Sequence, residues 1–137
     1  MEVGSGSTEL MIMDRGKMVA AHLYRLGTLR LDTQTGQRSA ELLDRSIEDL
    51  FRSTLDGLRA EFNMNRIRYY VMVGGDARTA AAQCGEKRGD HYAVIDRKDF
   101  EEFMTRVCTW GTDECVRRLN ISYYEAESLI PALQVHR

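Results

Sequence analysis

The residues whose types and spacing point most directly to chemistry lie between Glu2 and Leu10. Two glycines and three hydroxyl side chains form what we call the first glycine turn, Gly4–Thr8, and Glu2 and Glu9 flank it. Glycine allows backbone angles that aim successive N–H groups inward as an anion-binding nest, and the hydroxyls add donors. The two carboxylates could hold a hydrated divalent cation that screens bound phosphates. The candidate phosphate-binding residues are therefore Gly4, Ser5, Gly6, Ser7 and Thr8, with Glu2 and Glu9 as candidate metal ligands.

A second glycine turn, Gly74 and Gly75, follows the β-branched and aromatic run Ile67–Val73 and precedes a helix predicted for Ala77–Cys84. A strand, a tight turn and a helix N-terminus together create a second place where a ligand can approach the backbone closely. Both turns also have a plain interpretation, because glycine-rich loops occur widely without a ligand. The first would then be a hairpin loop with two solvated glutamates, and the second a simple strand-to-helix turn.

Other familiar catalytic patterns are missing from the sequence. It contains neither a G-x-x-x-x-G-K-[ST] loop nor an H-E-x-x-H pair, and its histidines, His22, His91 and His136, lie far apart. His22 falls in a predicted strand, where a packed or edge histidine is more common than a ligand. Ser7 does not form a nucleophile elbow, because the residues after it are typical of a strand.

Composition indicates one soluble domain with its own core: 137 residues, of which 43% are hydrophobic and 29% charged. A net charge of −2 offers no field for nucleic acid. The sequence shows no apolar run of membrane-spanning length and no signal peptide, so we predict a cytoplasmic protein without a membrane partner. The three cysteines, Cys84, Cys108 and Cys115, contain no CxxC pair, which favours packing roles in a reducing compartment.

Three strands in a meander are predicted to position the first glycine turn. Met1–Val3 precedes the turn, Thr8–Met13 follows it, and Asp14–Gly16 has the chemistry of a hairpin turn leading into Lys17–Leu26. The second strand carries apolar residues on both faces, which predicts a sheet covered on both sides. Apolar residues at three- and four-residue steps predict a long crossover helix over Arg38–Asn63.

The crossover helix would return the chain to a fourth strand, Ile67–Val73, beside the first. Beyond the second glycine turn the sequence predicts a short strand at Tyr92–Ile95 and a helical C-terminal half. Asp96 is predicted to cap a helix ending at Gly111, and Thr112 a short helix to Leu119. Ser122 and Glu125 form a capping box for the last helix, in which Pro131 either introduces a kink or marks a special role for the C-terminal half.

The segment Glu2–Leu10 resembles the D-[IV]-G-G-G-S-T-E-L signature of the exopolyphosphatase and guanosine pentaphosphate phosphohydrolase (Ppx/GppA) family, which belongs to the actin-like ATPase superfamily. Leu26–Leu31 resembles the family's L-G-A-V-R-L, and Val73–Gly75 resembles its second glycine motif. Ala126–Ala132 resembles the apolar helix near the end of the second ribonuclease H-like domain. The resemblance covers nearly the whole chain and implies an α/β, ribonuclease H-like fold.

The resemblance implies that residues 1–137 form a single domain, equivalent to most of the second domain of such a phosphatase, with the active site in the cleft between the two domains. The first glycine turn would bind the terminal phosphates of polyphosphate or a guanosine polyphosphate. Glu2 and Glu9 would hold Mg²⁺, and Glu9 would also help to orient the attacking water. Gly74 and Gly75 would face the far side of the ligand.

The implied partner is the first domain of the same parent chain, so the isolated chain is expected to be nearly inactive. An apolar cleft face left bare would favour a homodimer. Three positions depart from the family pattern: Glu2 replaces Asp, Ser5 replaces Gly, and Asp76 stands where Thr is frequent, placing a negative charge where a phosphate-bearing ligand would lie.

These residues leave three functional hypotheses open. The leading one is Mg²⁺-dependent hydrolysis of terminal phosphate, carried out by the intact parent protein. The alternative is a module that binds guanosine polyphosphates or another phosphorylated ligand without hydrolysis. A weaker third is a kinase or actin-like ATPase.

Overall fold

A three-stranded antiparallel meander begins the chain in the computed structural model, which describes residues 1–28, 52 and 56–137. Its strands lie side by side in chain order. Arg15 and Gly16 join the second strand to the third through a turn in which both residues have positive φ, 49° and 77°. Such a turn matches the right-handed twist of the strands. The predicted meander and its hairpin turn are confirmed, with bounds β1 (Glu2–Val3), β2 (Thr8–Asp14) and β3 (Lys17–Tyr24).

The two faces of this sheet differ in burial. Thr8 is buried on one face of β2 and Leu10 is half-buried beside it. On the other face Met11 and Met13 are 50% and 58% exposed. Among the described residues only one face is therefore covered, whereas the apolar residues on both faces of β2 predicted cover on both sides.

The chain returns to the sheet along residues 67–73, beside β1. The backbone N–H of Val73 donates to the carbonyl of Met1 at 3.0 Å, and Val73 pairs with Glu2 in a parallel bridge. The predicted fourth strand thus lies beside the first, but it is reduced to one isolated bridge. The physical reason is that β1 is only two residues long and offers few backbone groups for pairing. The predicted crossover helix, Arg38–Asn63, falls largely outside the described residues, although 56–61 are helical.

The rest of the chain is mainly helical, with a two-stranded hairpin inserted after the first helix. The β4–β5 hairpin includes the predicted strand at Tyr92, but its partner strand is made of exposed charged residues that gave no strand pattern. No described helix combines the length and apolar character required to cross a bilayer. The elements are α1 (Gly75–Cys84), β4 (Glu86–Arg88), β5 (Tyr92–Val94), α2 (Arg97–Cys108), α3 (Thr112–Leu119) and α4 (Tyr123–His136).

The predicted cap at Ser122 is confirmed by its hydrogen bonds, whereas Asp96 is the N-cap of α2 without a side-chain hydrogen bond. Ser122 Oγ accepts from the N–H of Glu125 at 3.2 Å, and the Glu125 carboxylate accepts from the N–H of Ser122 at 2.8 Å. This is the reciprocal capping box. Three helix boundaries differ from the prediction: α1 begins at Gly75 instead of Ala77, α2 ends at Cys108 instead of Gly111, and Gly111 instead of Thr112 is the N-cap of α3.

Helix α4 joins the helical half to the sheet. Leu129 and Leu133 pack with Phe103 and Val107 in a core formed by the four helices. A second cluster, made of Val3, Leu26, Ala132 and Val135, ties the same helix to the sheet. The helix continues through Pro131 to His136, and all six residues of that stretch are buried. The C-terminal half of α4 is therefore enclosed.

The three cysteines are free thiols. Cys115 is fully buried in the helical core, and Cys84 and Cys108 pack against it. Burial raises the pKa of the Cys84 and Cys115 thiols, which keeps them protonated and poorly nucleophilic. The predicted packing role is confirmed.

Candidate functional site

The first glycine turn is a tight hairpin connection. Glu2 pairs with Glu9 and Val3 with Thr8, and the N–H of Gly4 donates to the carbonyl of Ser7 at 2.8 Å. Ser5 and Gly6 therefore form an exposed two-residue tip. None of Gly4, Ser5 and Gly6 has positive φ. The expectation that the glycines supply angles closed to other residues is wrong here, and the same geometry explains why serine is accommodated at position 5.

Gly27 supports this tip from below. A Cβ at Gly27 would lie 2.4 Å from the Ser5 carbonyl oxygen and 2.5 Å from the Gly6 nitrogen. Because both are backbone atoms, no side-chain rotation could relieve that clash. Next to it, the N–H of Thr28 donates to the Gly4 carbonyl at 3.1 Å. The described part of the segment that resembles the L-G-A-V-R-L motif, residues 26–28, therefore packs against the first glycine turn and supports it.

Thr8 differs from its neighbours in the turn. Its side chain is fully buried, and its hydroxyl donates to the carbonyl of Leu26 at 2.7 Å. Because this hydroxyl already donates inside the protein, Thr8 fixes the first glycine turn to residues 26–28. The hydroxyls of Ser5 and Ser7 and the N–H groups of Ser5, Gly6 and Ser7 form no hydrogen bond with another described residue. These five donors are the ones that remain for an anion.

The carboxylates of Glu2 and Glu9 stand opposite each other on neighbouring strands. Both residues are exposed, and like charges in this position repel unless a cation lies between them. Within the described parts of the chain, no cluster of three His, Cys, Asp or Glu residues is suited to a metal. Mg²⁺ frequently takes only one or two protein carboxylates and completes its shell with water and substrate phosphates. The two carboxylates are therefore a donor set that Mg²⁺ can use.

The second glycine turn requires glycine at its first position. Gly74 is the N-cap of α1 with φ 128° and ψ −174°, a combination essentially restricted to glycine. A Cβ there would also lie 2.7 Å from Asp76 Oδ1. Gly75 is the first residue of α1, so the chain changes from extended to helical within two residues.

The two glycine turns emerge at the same edge of the sheet. Glu2 and Val73 form a parallel bridge, and each is followed within two residues by a glycine, Gly4 and Gly74. Neighbouring strands lie about 4.8 Å apart. In open α/β sheets, the crevice at the carboxyl ends of adjacent strands is the usual ligand position. The structure therefore places the two sequence-predicted glycine motifs side by side.

A buried hydrogen-bond chain beside the second turn was not anticipated from the sequence. His136 Nε2 lies 2.6 Å from Asp76 Oδ2, and the Tyr70 hydroxyl lies 2.8 Å from His136 Nδ1. The His136 side chain is 0% exposed and that of Asp76 8%. Since an ionised carboxylate only accepts, Nε2–H donates to Asp76, and Nδ1 accepts from Tyr70. Asp76 is thus bonded internally through one carboxylate oxygen, Oδ2.

The state of Tyr70 supports this assignment. Half of the Tyr70 surface is exposed, but its hydroxyl faces His136. Burial of that hydroxyl, together with the nearby charge of Asp76, raises the pKa of Tyr70. The phenol therefore keeps its proton and remains a donor. The three residues lie 60 and 66 positions apart, and no sequence pattern connects them.

The other histidines form no site with one another. His22 is stacked on Tyr24 with ring centroids 5.9 Å apart, and its Nε2 lies 4.0 Å from Glu61 Oε2. It is a half-buried packing residue, as predicted. His91 is exposed on the turn between β4 and β5.

No protein-family model matches the sequence, and no curated protein matches it either. Solved structures do match. An exopolyphosphatase from Cytophaga hutchinsonii superposes with a TM-score of 0.80 at 17% identity, covering 99% of this chain and 46% of that one. A Ppx/GppA family member from Aquifex aeolicus gives a TM-score of 0.75 at 16% identity, covering 98% of this chain and 45% of that one. The type II variant of the Aquifex aeolicus Ppx/GppA phosphatase gives 0.73 at 15% identity.

Fold and site together define an α/β domain with two glycine turns at one sheet edge. Its fold is that seen in the Ppx/GppA phosphatase structures, so the resemblance found in the sequence is confirmed at the level of the fold. The chain spans less than half the length of the solved proteins it matches.

Proposed function

We propose that this chain supplies one wall of a cleft in which phosphoanhydride bonds are hydrolysed. The first glycine turn would bind the terminal phosphate of polyphosphate or of a guanosine polyphosphate. The observation that carries the proposal is the parallel bridge between Glu2 and Val73, which sets both glycine turns at one edge. The likeness to exopolyphosphatase and Ppx/GppA structures supports the same substrate class.

The chemistry assigned to this wall is binding and orientation. The free donors at Ser5, Gly6 and Ser7 would contact the terminal phosphoryl oxygens, where negative charge accumulates. Glu2 and Glu9 would hold Mg²⁺, which neutralises phosphate charge when bound. Water oxygen attacks the terminal phosphorus, and the bridging oxygen leaves with the shortened chain. Glu9 would help to orient that water, whose proton would pass to a base outside this wall of the cleft.

The opposite wall would come from the first domain of a longer parent protein. The matched structures are more than twice as long as this chain, which agrees with a role as one of two parts. We therefore expect this chain to bind the ligand and to hydrolyse little of it until the partner domain is present. Binding of a guanosine polyphosphate by the parent without phosphate release would instead favour the alternative, a non-hydrolysing module that responds to such ligands.

The proposal is tested by an amide-shift titration of the ¹⁵N-labelled chain with Mg²⁺ and tripolyphosphate. Shifts are expected at Ser5, Gly6 and Ser7. The internal control is Gly16, an exposed glycine in the other hairpin turn of the same sheet. Glu9→Gln is expected to weaken the Mg²⁺-dependent part of the response and to leave the fold intact, since Glu9 is exposed. Equal shifts at Gly16 and at the first glycine turn would contradict the proposal.

A further inference from the structure

We propose that Asp76 makes the second glycine turn reject anionic groups, so that this turn faces an uncharged part of the ligand. The location of the phosphate at the first turn rests on the function proposed above, whereas the exclusion at the second turn rests on contacts of Asp76 alone. The two glycine turns would then have different chemical preferences, although both are built from small residues at one sheet edge.

The Asp76 carboxylate lies at the N-terminus of α1. Asp76 is the second residue of α1, where the exposed N–H groups and the helix dipole attract negative charge. Its Oδ1 lies 2.7 Å from the point that a Gly74 Cβ would occupy. A free helix N-terminus after a glycine turn is suited to phosphate. Here the protein's own carboxylate already stands at that place.

The Asp76 carboxylate cannot rotate away from this position. Its Oδ2 is bonded to His136 Nε2 at 2.6 Å, and the His136 side chain has no exposed surface. The Tyr70 hydroxyl fixes the other ring nitrogen. Turning Asp76 outward would leave a buried N–H without an acceptor, which is costly. The carboxylate is therefore held at the start of α1 by its bond to His136.

Without the Asp76 charge, the second glycine turn would attract anions. The guanidinium of Arg78 lies 3.7 Å from the position of a Gly75 Cβ, and a shallow groove containing Gly75, Arg78 and Thr79 opens beside it. Glu125 lines the same groove, but its carboxylate accepts hydrogen bonds from the Ser122 N–H and hydroxyl. With Asp76 neutralised, the helix N-terminus and Arg78 would together form a positive concavity. The Asp76 carboxylate is therefore the group that decides the sign of this part of the cleft.

The test compares the wild-type chain with Asp76→Asn, which keeps the size of the side chain and removes its charge. The probes are inorganic phosphate and tripolyphosphate, and the readout is the amide shift of Gly75, Ala77 and Arg78. We expect no phosphate-dependent shift there in the wild type and a clear new shift in Asp76→Asn. The matched control is Asp113→Asn, because Asp113 occupies the same second position of α3 and is exposed. It should leave the response of α1 unchanged.

Several results would overturn the inference. One is a wild-type response at Gly75 and Ala77 as large as that at the first glycine turn. Another is a folded Asp76→Asn chain that gains no response. If the variant does not fold, the ¹⁵N shifts of the wild-type His136 ring still decide. A proton on Nε2 alone supports a carboxylate whose charge is not neutralised. A proton on Nδ1 alone, which means that Asp76 is itself protonated, or protons on both nitrogens, which pair the carboxylate with a cation, would contradict the inference. New phosphate-dependent amide shifts at the second glycine turn of Asp76→Asn, together with no such shifts at the first glycine turn of the wild type, would refute the proposed function while supporting this inference.

Discussion

Gly27 lies directly beneath Ser5, so close that a Cβ on Gly27 would approach the Ser5 carbonyl oxygen to 2.4 Å. The two residues belong to different segments, one at the tip of the β1–β2 hairpin and the other just after β3. Their contact fixes the height of the first glycine turn above the sheet edge. The shape of the candidate phosphate site therefore depends on a glycine that lies outside the turn itself.

Gly27→Ala should consequently destabilise the chain and displace the turn. Overpacking against backbone costs about 1–3 kcal/mol, measurable as a lower free energy of unfolding in urea. The matched control is Gly6→Ala in the same turn, because a Cβ at Gly6 would meet no atom within 4 Å. That control should stay within about 0.5 kcal/mol of the wild type. Equal effects of the two substitutions would contradict the supporting role of Gly27.

Substitutions at Thr8 and Ser7 should affect different properties, folding stability for Thr8 and phosphate binding for Ser7. Thr8→Val removes a buried hydroxyl and leaves the Leu26 carbonyl without its donor, a loss of about 1–3 kcal/mol in the free energy of unfolding. Ser7→Ala removes a hydroxyl that makes no hydrogen bond to another described residue, so the free energy of unfolding should hardly change while the tripolyphosphate response weakens. Thermal unfolding and the phosphate titration measured on both variants check this. A stable Thr8→Val chain with lost binding would reverse the assignment.

Tyr70→Phe should weaken the link between the second glycine turn and α4. It deletes only the hydroxyl that donates to His136 Nδ1, so a part-buried acceptor loses its partner, at a cost of about 1–3 kcal/mol. Tyr69→Phe is the control, because Tyr69 is 85% exposed and should change stability by less than about 0.5 kcal/mol. Denaturant unfolding of the two variants gives the comparison. If they unfold alike, the hydrogen bond from Tyr70 contributes nothing measurable.

The capping box of α4 should make stability depend on acid pH. Hydrogen bonds from the Ser122 hydroxyl and N–H lower the pKa of Glu125 below its ordinary value of 4.5. Because the folded pKa is the lower one, the contribution of Glu125 is fully present above pH 4.5 and is lost as pH falls through the folded value. Ser122→Ala should cost about 1 kcal/mol at neutral pH.

The check is the difference in melting temperature between the wild type and Glu125→Gln, followed from pH 7 down to pH 3. That difference should be largest at neutral pH and should shrink in acid. Glu127→Gln on the same helix serves as the control, since Glu127 lies outside the capping box. A difference that grows as the pH falls would contradict the sign of the shift.

Local patterns were enough to predict the meander and the last helix. The hairpin at Arg15 and Gly16 and the box at Ser122 and Glu125 each depend on residues within a few positions of one another, where turn and cap chemistry is decided. The first glycine turn was found for the same reason. Its internal geometry was not, because the contact between Ser5 and Gly27 joins segments 22 positions apart in the sequence.

Pairing and burial explain the remaining differences. The run Ile67–Val73 has strong strand propensity, but its pairing is limited by the two residues of β1, which propensity cannot reveal. The strand Glu86–Arg88 carries only charged side chains and forms through its partner at Tyr92. The contact between His136 and Asp76 spans 60 positions, so only the packed structure brings them together.

The central proposal is that the first glycine turn and its two glutamates form a phosphate and metal site beside the second turn. Its most direct test is a paramagnetic titration. Mn²⁺ replaces Mg²⁺ in the presence of tripolyphosphate, and line broadening of each backbone amide is recorded. The account predicts strongest broadening at Ser5, Ser7 and Glu9, clear broadening at Gly74, and loss of both in the Glu2→Gln, Glu9→Gln double variant. Broadening that persists in the double variant, or that is greatest at the exposed acids of α2, would contradict it.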